Sequence, residues 1–132
     1  MRVVALILLG LVIGVFGAVA TLNALRPATA FPKGVMALLA HHHGALRDAT
    51  AGAQCLANAA MHLEALEVVG RDIEPAFVHP EAPDEIFSRY ASQFVQAVSE
   101  ARAQPAQDCA TLKEQIGRIG DGCKACHRDY KS

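Results

Sequence analysis

Apolar residues near the C-terminus recur at the spacing of one α-helical face. Alternating steps of four and three residues separate Leu112, Ile116, Ile119, Cys123, Cys126 and Tyr130. Such steps return to the same side of a helix that repeats every 3.6 residues. Asp108 stands just before this stripe and is a good N-cap, because its carboxylate can accept hydrogen bonds from the free N–H groups of the first turn. The pattern predicts a helix over about residues 108–130.

Three earlier apolar stripes predict three more helices. The first covers about residues 32–49, because Pro32 fits a first turn where its missing N–H is not needed. The second covers about residues 53–69, and the third about residues 83–103, with proline and acids in its first turn. Residues 71–82 contain two prolines and no period, which indicates a loop. The residues expected to face inward are Met36, Leu39, His43 and Leu46 in the first helix, Leu56, Ala59, Ala60, Leu63 and Leu66 in the second, and Phe87, Tyr90, Phe94, Ala97 and Ala101 in the third.

Four amphipathic helices with mostly short connections predict an all-α fold, an antiparallel up-down-up-down four-helix bundle over residues 31–132. In this topology the start of the first helix and the end of the fourth share one end of the bundle. We therefore expect Met36 and His127 to face the same space. Cys55 and Cys109 fall at the opposite end, where they either form a disulfide in an oxidising compartment or remain two buried thiols.

Residues 1–30 precede the bundle as a separate hydrophobic segment. Residues 3–25 carry no charge over 23 positions, which corresponds to about 35 Å of helix and is long enough to span a bilayer. Ala28-Thr29-Ala30 also offers the small-x-small pattern of an export cleavage site. A retained membrane anchor is favoured, because the uncharged stretch is longer than a typical signal core. Both alternatives place the bundle in the bacterial periplasm, either tethered to the inner membrane or soluble after cleavage.

Composition narrows the class of protein. The formal net charge is −1 and the basic residues are scattered, so the sequence does not show the cluster of basic residues that is typical of nucleic-acid-binding proteins. Aromatic residues make up only 5% of the chain, and β-branched runs are confined to the N-terminus, which favours helices. No nucleophile–base arrangement and no dinucleotide motif occurs in the sequence, so we do not expect an enzyme.

Cys123-Lys124-Ala125-Cys126-His127 is the attachment motif of a c-type haem. Each thiol can form a thioether with one vinyl group of the porphyrin, and the adjacent imidazole can bind the iron as its proximal ligand. A thioredoxin-like pair is less consistent, since no strand precedes the motif. A structural zinc site would need a second close pair, which Cys55 and Cys109 do not form. The sequence therefore predicts one covalent haem held by Cys123 and Cys126, with His127 on the iron.

Two further sets of side chains have alternative interpretations. Met36 is a candidate distal iron ligand, but methionine also fills irregular apolar gaps. The run His41-His42-His43 cannot converge on one ion, because consecutive helical residues point about 100° apart. These histidines are expected to be solvated or packed. His62 and His79 have no partner in the sequence pattern.

The chain resembles the cytochrome c′ family over nearly all of residues 31–132. The strongest likeness is the C-terminal Cys-x-x-Cys-His-x-x-Tyr pattern followed by the basic Lys131, and the run from Met36 to Leu46 resembles the family's first helix. The resemblance implies an antiparallel bundle, often dimeric through the first helix and its neighbour, so a homodimer is expected. Met36 matches the distal position. Departures occur at Pro32, where relatives often have an arginine near a haem propionate, at Lys131, where arginine is usual, and at Phe87, where tryptophan is usual.

The resemblance implies two functions that differ only in the sixth iron ligand. A five-coordinate haem with an apolar distal side binds NO or CO, and some members of the family are linked to NO resistance. A six-coordinate haem with His127 and Met36 as its ligands serves electron transfer to redox partner proteins. A third hypothesis is a membrane-anchored accessory subunit of a respiratory complex.

Overall fold

The computed structural model describes residues 2–24, 27–52 and 54–130, without the side chains of residues 2, 4–6, 23, 24 and 27–29. The chain divides into two compact units, Met1–Phe31 and Pro32–Ser132. Leu25 and Arg26 at the end of the predicted anchor, Ala53 at the predicted start of the second bundle helix, and Lys131 lie outside the described residues.

The first unit contains helix α1, Arg2–Ala24. Across the described ranges, none of the helices combines the length and the hydropathy that crossing a bilayer requires. The assignment of residues 1–30 as an anchor or as an export segment stays a prediction.

Five further helices follow in the described chain. They are α2 (Pro27–Ala49), α3 (Ala59–Gly70), α4 (Ile73–Phe77), α5 (Glu85–Ala103) and α6 (Cys109–Tyr130). No strand is assigned in the described residues, only an isolated bridge between His79 and Ala82. The prediction of an all-helical chain is confirmed.

The predicted cap of α6 is confirmed, whereas α5 begins two residues later than the predicted start at Pro83. Asp84 precedes α5, and its Oδ1 accepts the backbone N–H groups of Ile86 and Phe87 at 3.1 and 2.9 Å. Asp108 precedes α6, and its Oδ1 accepts the N–H of Thr111 at 2.7 Å. Each carboxylate satisfies donors that have no partner within the first turn of the helix.

The predicted start of the first bundle helix at Pro32 is wrong. Helix α2 begins at Pro27 and contains Pro32 in its interior. Pro27 takes the first-position role that the sequence reasoning gave to Pro32, where no N–H is needed. Pro32 then removes a single backbone hydrogen bond near the start of the helix.

The second bundle helix also begins later than predicted. Residues 54–58 form turns, and α3 begins at Ala59. Leu56, expected to face inward, is therefore 39% exposed, and Ala60 is exposed as well. The turn is fixed by Cys55, which is buried and joined to Cys109, so a tertiary cross-link overrides local helix propensity.

The predicted loop at residues 71–82 contains the short helix α4. Asp72 occupies its N-cap position, Glu74 lies in its first turn, and Pro75 is tolerated there because that N–H would be unpaired. Ile73 at its start is 6% exposed and joins the core. One buried side chain thus anchors a segment in which the sequence shows no period.

The second unit is built around one hydrophobic core. Of the stripe residues predicted to face inward, the following are buried: Leu39, Leu46, Leu63, Leu66, Phe87, Phe94, Ala101, Leu112, Ile116 and Ile119. Tyr90 near the start of α5 contacts Asp129 near the end of α6, whereas Gln104 after α5 contacts Gln115 earlier in α6. These contacts make α5 and α6 antiparallel, consistent with the predicted bundle.

A buried carboxylate links α3 to α5. Glu67, 7% exposed, accepts a hydrogen bond from Arg71 at 2.6 Å and a second one from Arg102. The hydrogen bonds from Arg102 and Arg71 lower the pKa of Glu67. A charge at this depth is stable only when it is paired, so this cluster has a structural role.

Cys55 and Cys109 form a disulfide with a Cα–Cα distance of 5.7 Å. This outcome selects the disulfide over the alternative of two buried thiols. Cys55 lies on the turn before α3 rather than on the helix itself. The turn brings it within the distance that a disulfide needs from the first residue of α6.

Candidate functional site

The last two turns of α6 carry the thiols and the imidazole of the haem motif. Cys123 and Cys126 are half-buried and free, and His127 follows at an exposed position. The three buried residues earlier in the same stripe, Leu112, Ile116 and Ile119, set the rotation of the helix. The stripe then runs out of the core at the motif, which leaves both thiols at the edge of a cavity.

This cavity has a volume of about 330 Å³ and is formed by four helices. Its size falls at the lower end of the range for small-molecule and cofactor sites. Met36 on α2 and Cys123, Cys126 and His127 on α6 all line it, as the bundle topology predicted. The other lining residues are Leu39, Ala40, His43, Gly44 and Arg47 of α2, Ile73 of α4, Tyr90, Ala91 and Phe94 of α5, and Gly122 of α6.

The residues around the cavity fit a covalently held haem. Two free thiols spaced by one helical turn border the same space as an imidazole and a thioether, which are established haem ligand types. Gly44 and Gly122 also line the cavity, and a Cβ added at either would meet no atom within 4 Å. At these two positions the walls formed by α2 and α6 carry no side chain that would narrow the cavity.

Burial raises the pKa of both motif thiols. Burial is the largest cause of the higher pKa at both Cys123 and Cys126. At Cys126 the negative charge of the neighbouring Asp129 raises the pKa further. Both side chains are therefore thiols rather than thiolates at neutral pH. Cys55 and Cys109 are already joined to each other, so the motif pair contains the free thiols of this chain.

Two tyrosine–aspartate pairs hold the last turn of α6 against the start of α5. The Tyr130 hydroxyl lies 2.9 Å from both carboxylate oxygens of Asp84, and the Tyr90 hydroxyl donates to Asp129 at 2.6 Å. The ring of Tyr130 also packs edge-on against Phe87, with centroids 5.1 Å apart. These contacts restrain the helical turn that carries His127.

The same pairs shift the pKa values of their members in opposite directions. Hydrogen bonds from the Phe87 N–H and from Tyr130 lower the pKa of Asp84, and the hydrogen bond from Tyr90 lowers that of Asp129. Burial and the bond to Asp84 raise the pKa of Tyr130. At neutral pH the carboxylates are charged acceptors and the phenols are neutral donors, which is the arrangement these bonds require.

His43 and Arg47 extend the lining along α2 beyond Met36. The His43 ring is hydrogen-bonded through Nε2 to the carbonyl oxygen of Ile116 on α6, at 3.3 Å. Arg47 supplies the one guanidinium among the lining residues. The sequence pattern placed His43 on the inward face of the first bundle helix but did not include Arg47. Arg47 lies one helical turn after His43, on the face that also contains positions 36, 39 and 40. Ile73 was also missed, because α4 has no periodic pattern.

A larger, more open groove of about 670 Å³ runs along α3 and α5 around Glu67. Its buried carboxylate is already paired with Arg71 and Arg102. The haem motif lies on α6, outside this groove. We therefore assign the candidate site to the smaller cavity.

A helical bundle whose last helix places Cys-x-x-Cys-His at a cavity between helices defines the class of bundle-type c cytochromes. The sequence model of the family Cytochrome C' matches residues 27–131, and the chain belongs to that family. Membership identifies it as a c-type haem protein, and the family binds haem c covalently. No curated protein and no solved structure matches the chain.

Proposed function

We propose that this protein binds small gas ligands such as NO or CO at a five-coordinate haem c. Cys123 and Cys126 hold the haem through thioethers, and His127 is the proximal iron ligand. The observation that supports this proposal is the shared cavity, in which the thiols and imidazole of α6 border the same space as Met36 of α2. The haem supplies the iron that takes the gas, and the chain supplies its attachment and surroundings.

Met36 covers the distal side in this proposal. It is half-buried and packs against the core, and it lines the same cavity as His127. An apolar cover of this kind would limit access of water to a bound haem and would favour small neutral ligands. Arg47 is the arginine among the lining residues, and we propose it as a partner for a haem propionate, although its guanidinium also lies 3.6 Å from the carboxylate of Asp48.

The sixth ligand is the point on which the proposal is tested. The Met36→Leu variant keeps the apolar volume and removes the sulfur, whereas Met61→Ala changes an exposed methionine that does not line the cavity. For a five-coordinate haem we expect a high-spin absorption and EPR spectrum in the wild type and in both variants, with CO binding retained. A low-spin wild type that becomes high-spin in Met36→Leu, but not in Met61→Ala, would refute the proposal.

A six-coordinate electron carrier is the second candidate function. It is favoured by one observation, that Met36 is the methionine among the residues lining the cavity. A thioether ligand opposite histidine raises the reduction potential of a haem. The same spectra decide between the two functions, and in this case the Met36→Leu variant is also expected to have a lower reduction potential than the wild type.

We further propose that the protein acts in the periplasm. This proposal rests on the export-like character of residues 1–30 and agrees with the disulfide between Cys55 and Cys109, which is stable in an oxidising compartment. Measuring the mass of the mature chain tests whether residues 1–30 are retained. Loss of these residues would refute an anchor and leave a soluble periplasmic protein.

A further inference from the structure

His43 lies at the end of the haem cavity where α2 meets the buried part of α6. Its Nε2 is 3.3 Å from the carbonyl oxygen of Ile116, and a Cβ added at Gly120 would be 3.0 Å from the same nitrogen. The ring can approach α6 this closely because position 120 has no side chain. Gly120 stands seven residues before His127, which is about 10 Å along the helix axis. His43 is therefore about two helical turns away from the level of the proposed iron ligand.

The contact with Ile116 determines which ring nitrogen of His43 can take up a proton. A carbonyl oxygen only accepts hydrogen bonds, so Nε2 carries the hydrogen and Nδ1 is the acceptor of the neutral ring. Protonation at Nδ1 keeps the bond to Ile116 and strengthens it, because the donor is then charged. His43 is half-buried, so its ring can exchange protons with solvent. The charge of His43 can therefore change without loss of this contact between α2 and α6.

Among the titratable side chains described around the cavity, His43 is the one whose charge can change near neutral pH. Arg47 remains a cation, and the hydrogen bond to Asp129 raises the pKa of Tyr90, which remains neutral. The two motif thiols are used in the thioethers, and His127 binds the iron in the proposed function. The lining residue of α4 is apolar. Histidine, in contrast, ordinarily changes its charge between pH 5 and pH 8.

The neighbouring histidines of α2 have different surroundings. His42 contacts α3, where its Nδ1 lies 2.9 Å from Nδ1 of His62, and His41 is exposed. Neither His41 nor His42 lines the cavity. The next acidic residue along α2, Asp48, has its carboxylate 3.6 Å from Nε of Arg47. The cavity histidine is therefore distinct from the rest of the histidine run.

We propose that His43 couples reduction of the haem iron to the uptake of a proton at its Nδ1. A one-electron donor supplies the electron that converts Fe(III) to Fe(II), and solvent supplies the proton. The added electron lowers the charge in the cavity by one unit, so a cationic His43 stabilises the reduced state, and by linkage reduction favours protonation of His43. The proposal rests on the covalent haem and holds for either a five-coordinate or a six-coordinate iron.

The size of the coupling follows from the separation. Two unit charges about 10 Å apart, at an effective dielectric constant of about 20, change the ratio of reduced to oxidised haem by roughly tenfold. With a tenfold coupling, His43 takes up at most about half a proton per electron at the midpoint of its titration.

A spectroelectrochemical titration of the haem-loaded protein between pH 5 and pH 8 tests the proposal. His43→Gln keeps an amide donor for the carbonyl oxygen of Ile116 but cannot be protonated in this range. His41→Gln makes the same change at an exposed position of α2 and is the matched control. At a fixed applied potential, the ratio of reduced to oxidised haem should fall with rising pH by roughly tenfold more in the wild type and in His41→Gln than in His43→Gln.

Two results would overturn the proposal. The same pH dependence in the wild type and in His43→Gln would assign it to the haem propionates or to another group. The second measurement needs no variant: reduction of the wild type in weakly buffered solution, followed with a pH indicator, should take up close to half a proton per electron at its maximum. A wild type that takes up no proton between pH 5 and pH 8 refutes the coupling even if His43→Gln does not fold. The spin state and CO binding are measured separately, so failure of the gas-binding proposal leaves this result unchanged.

Discussion

The disulfide between Cys55 and Cys109 allows a stability prediction whose size follows from the structure. The bond closes a loop of 54 positions, and it fixes the turn before α3 to the first residue of α6. Replacing both cysteines by alanine removes this closure and adds no unpaired thiol. Loop-closure entropy for this length is worth about 4 kcal/mol at 25 °C, and measured losses on removing native disulfides are typically 2–5 kcal/mol.

We therefore expect the Cys55→Ala/Cys109→Ala variant to lose about 2–4 kcal/mol of unfolding free energy. This corresponds to a melting temperature lower by roughly 10–20 °C for a domain of this size. Urea titration followed by circular dichroism measures the first quantity and thermal unfolding the second. The effect acts mainly on the unfolded chain, so the absorption spectrum of the haem should be nearly the same in the variant.

Reduction provides a matched control, since thioether bonds to the haem are not cleaved by a thiol reductant. Dithiothreitol should destabilise the wild type by a similar amount and should leave the double variant unchanged. If the variant unfolds within about 0.5 kcal/mol of the wild type, the loop-closure argument fails. If reductant destabilises the variant as well, its effect does not act through the bond between Cys55 and Cys109.

Three further predictions concern the packing and chemistry of α5 and α6. Gly117→Ala should stabilise the protein by up to about 1 kcal/mol, because a helical glycine is replaced in open space. Gly120→Ala should be less stable than Gly117→Ala in urea, because its Cβ would lie 3.0 Å from His43 Nε2, and equal stability would contradict the close packing. The lowered pKa of Asp84, from an ordinary value of 3.8, means that its stabilising effect is present above that pH and lost as the pH falls below it. Acid unfolding should therefore be less steep in Asp84→Asn than in the wild type, and an unchanged slope would show that other groups dominate. Finally, Cys123→Ala/Cys126→Ala should release its haem on denaturation whereas Cys55→Ala/Cys109→Ala retains it, as measured by mass spectrometry, and retention in both would refute the thioether assignment.

Much of the bundle could be predicted from the sequence, because the patterns that specify its helices depend on residues close together in the chain. The caps at Asp84 and Asp108 and the stripe of α6 depend on residues within a few positions of one another. The expectation that Met36 and His127 face the same space required only the number of helices and the shortness of most connections. Both line the 330 Å³ cavity.

The parts that were missed depend on contacts between distant residues. The delayed start of α3 follows from the bond between Cys55 and Cys109, and α4 is held by the burial of Ile73 rather than by a periodic pattern. The His42–His62 contact joins two helices in a register that periodicity does not specify. Local patterns give the type of an element, whereas its limits and its partners are decided by packing.

The surroundings of His127 combine a local helix cap with a contact between residues that are distant in the sequence. Asp84 caps α5 through the N–H groups of Ile86 and Phe87, and the same carboxylate accepts the hydroxyl of Tyr130, 46 positions away. Tyr130 lies three residues after His127, less than one turn of α6. Formation of the first turn of α5 therefore also fixes the turn of α6 that carries the proposed iron ligand. A change at Asp84 should alter the environment of the iron as well as the stability of α5, although Asp84 does not line the cavity.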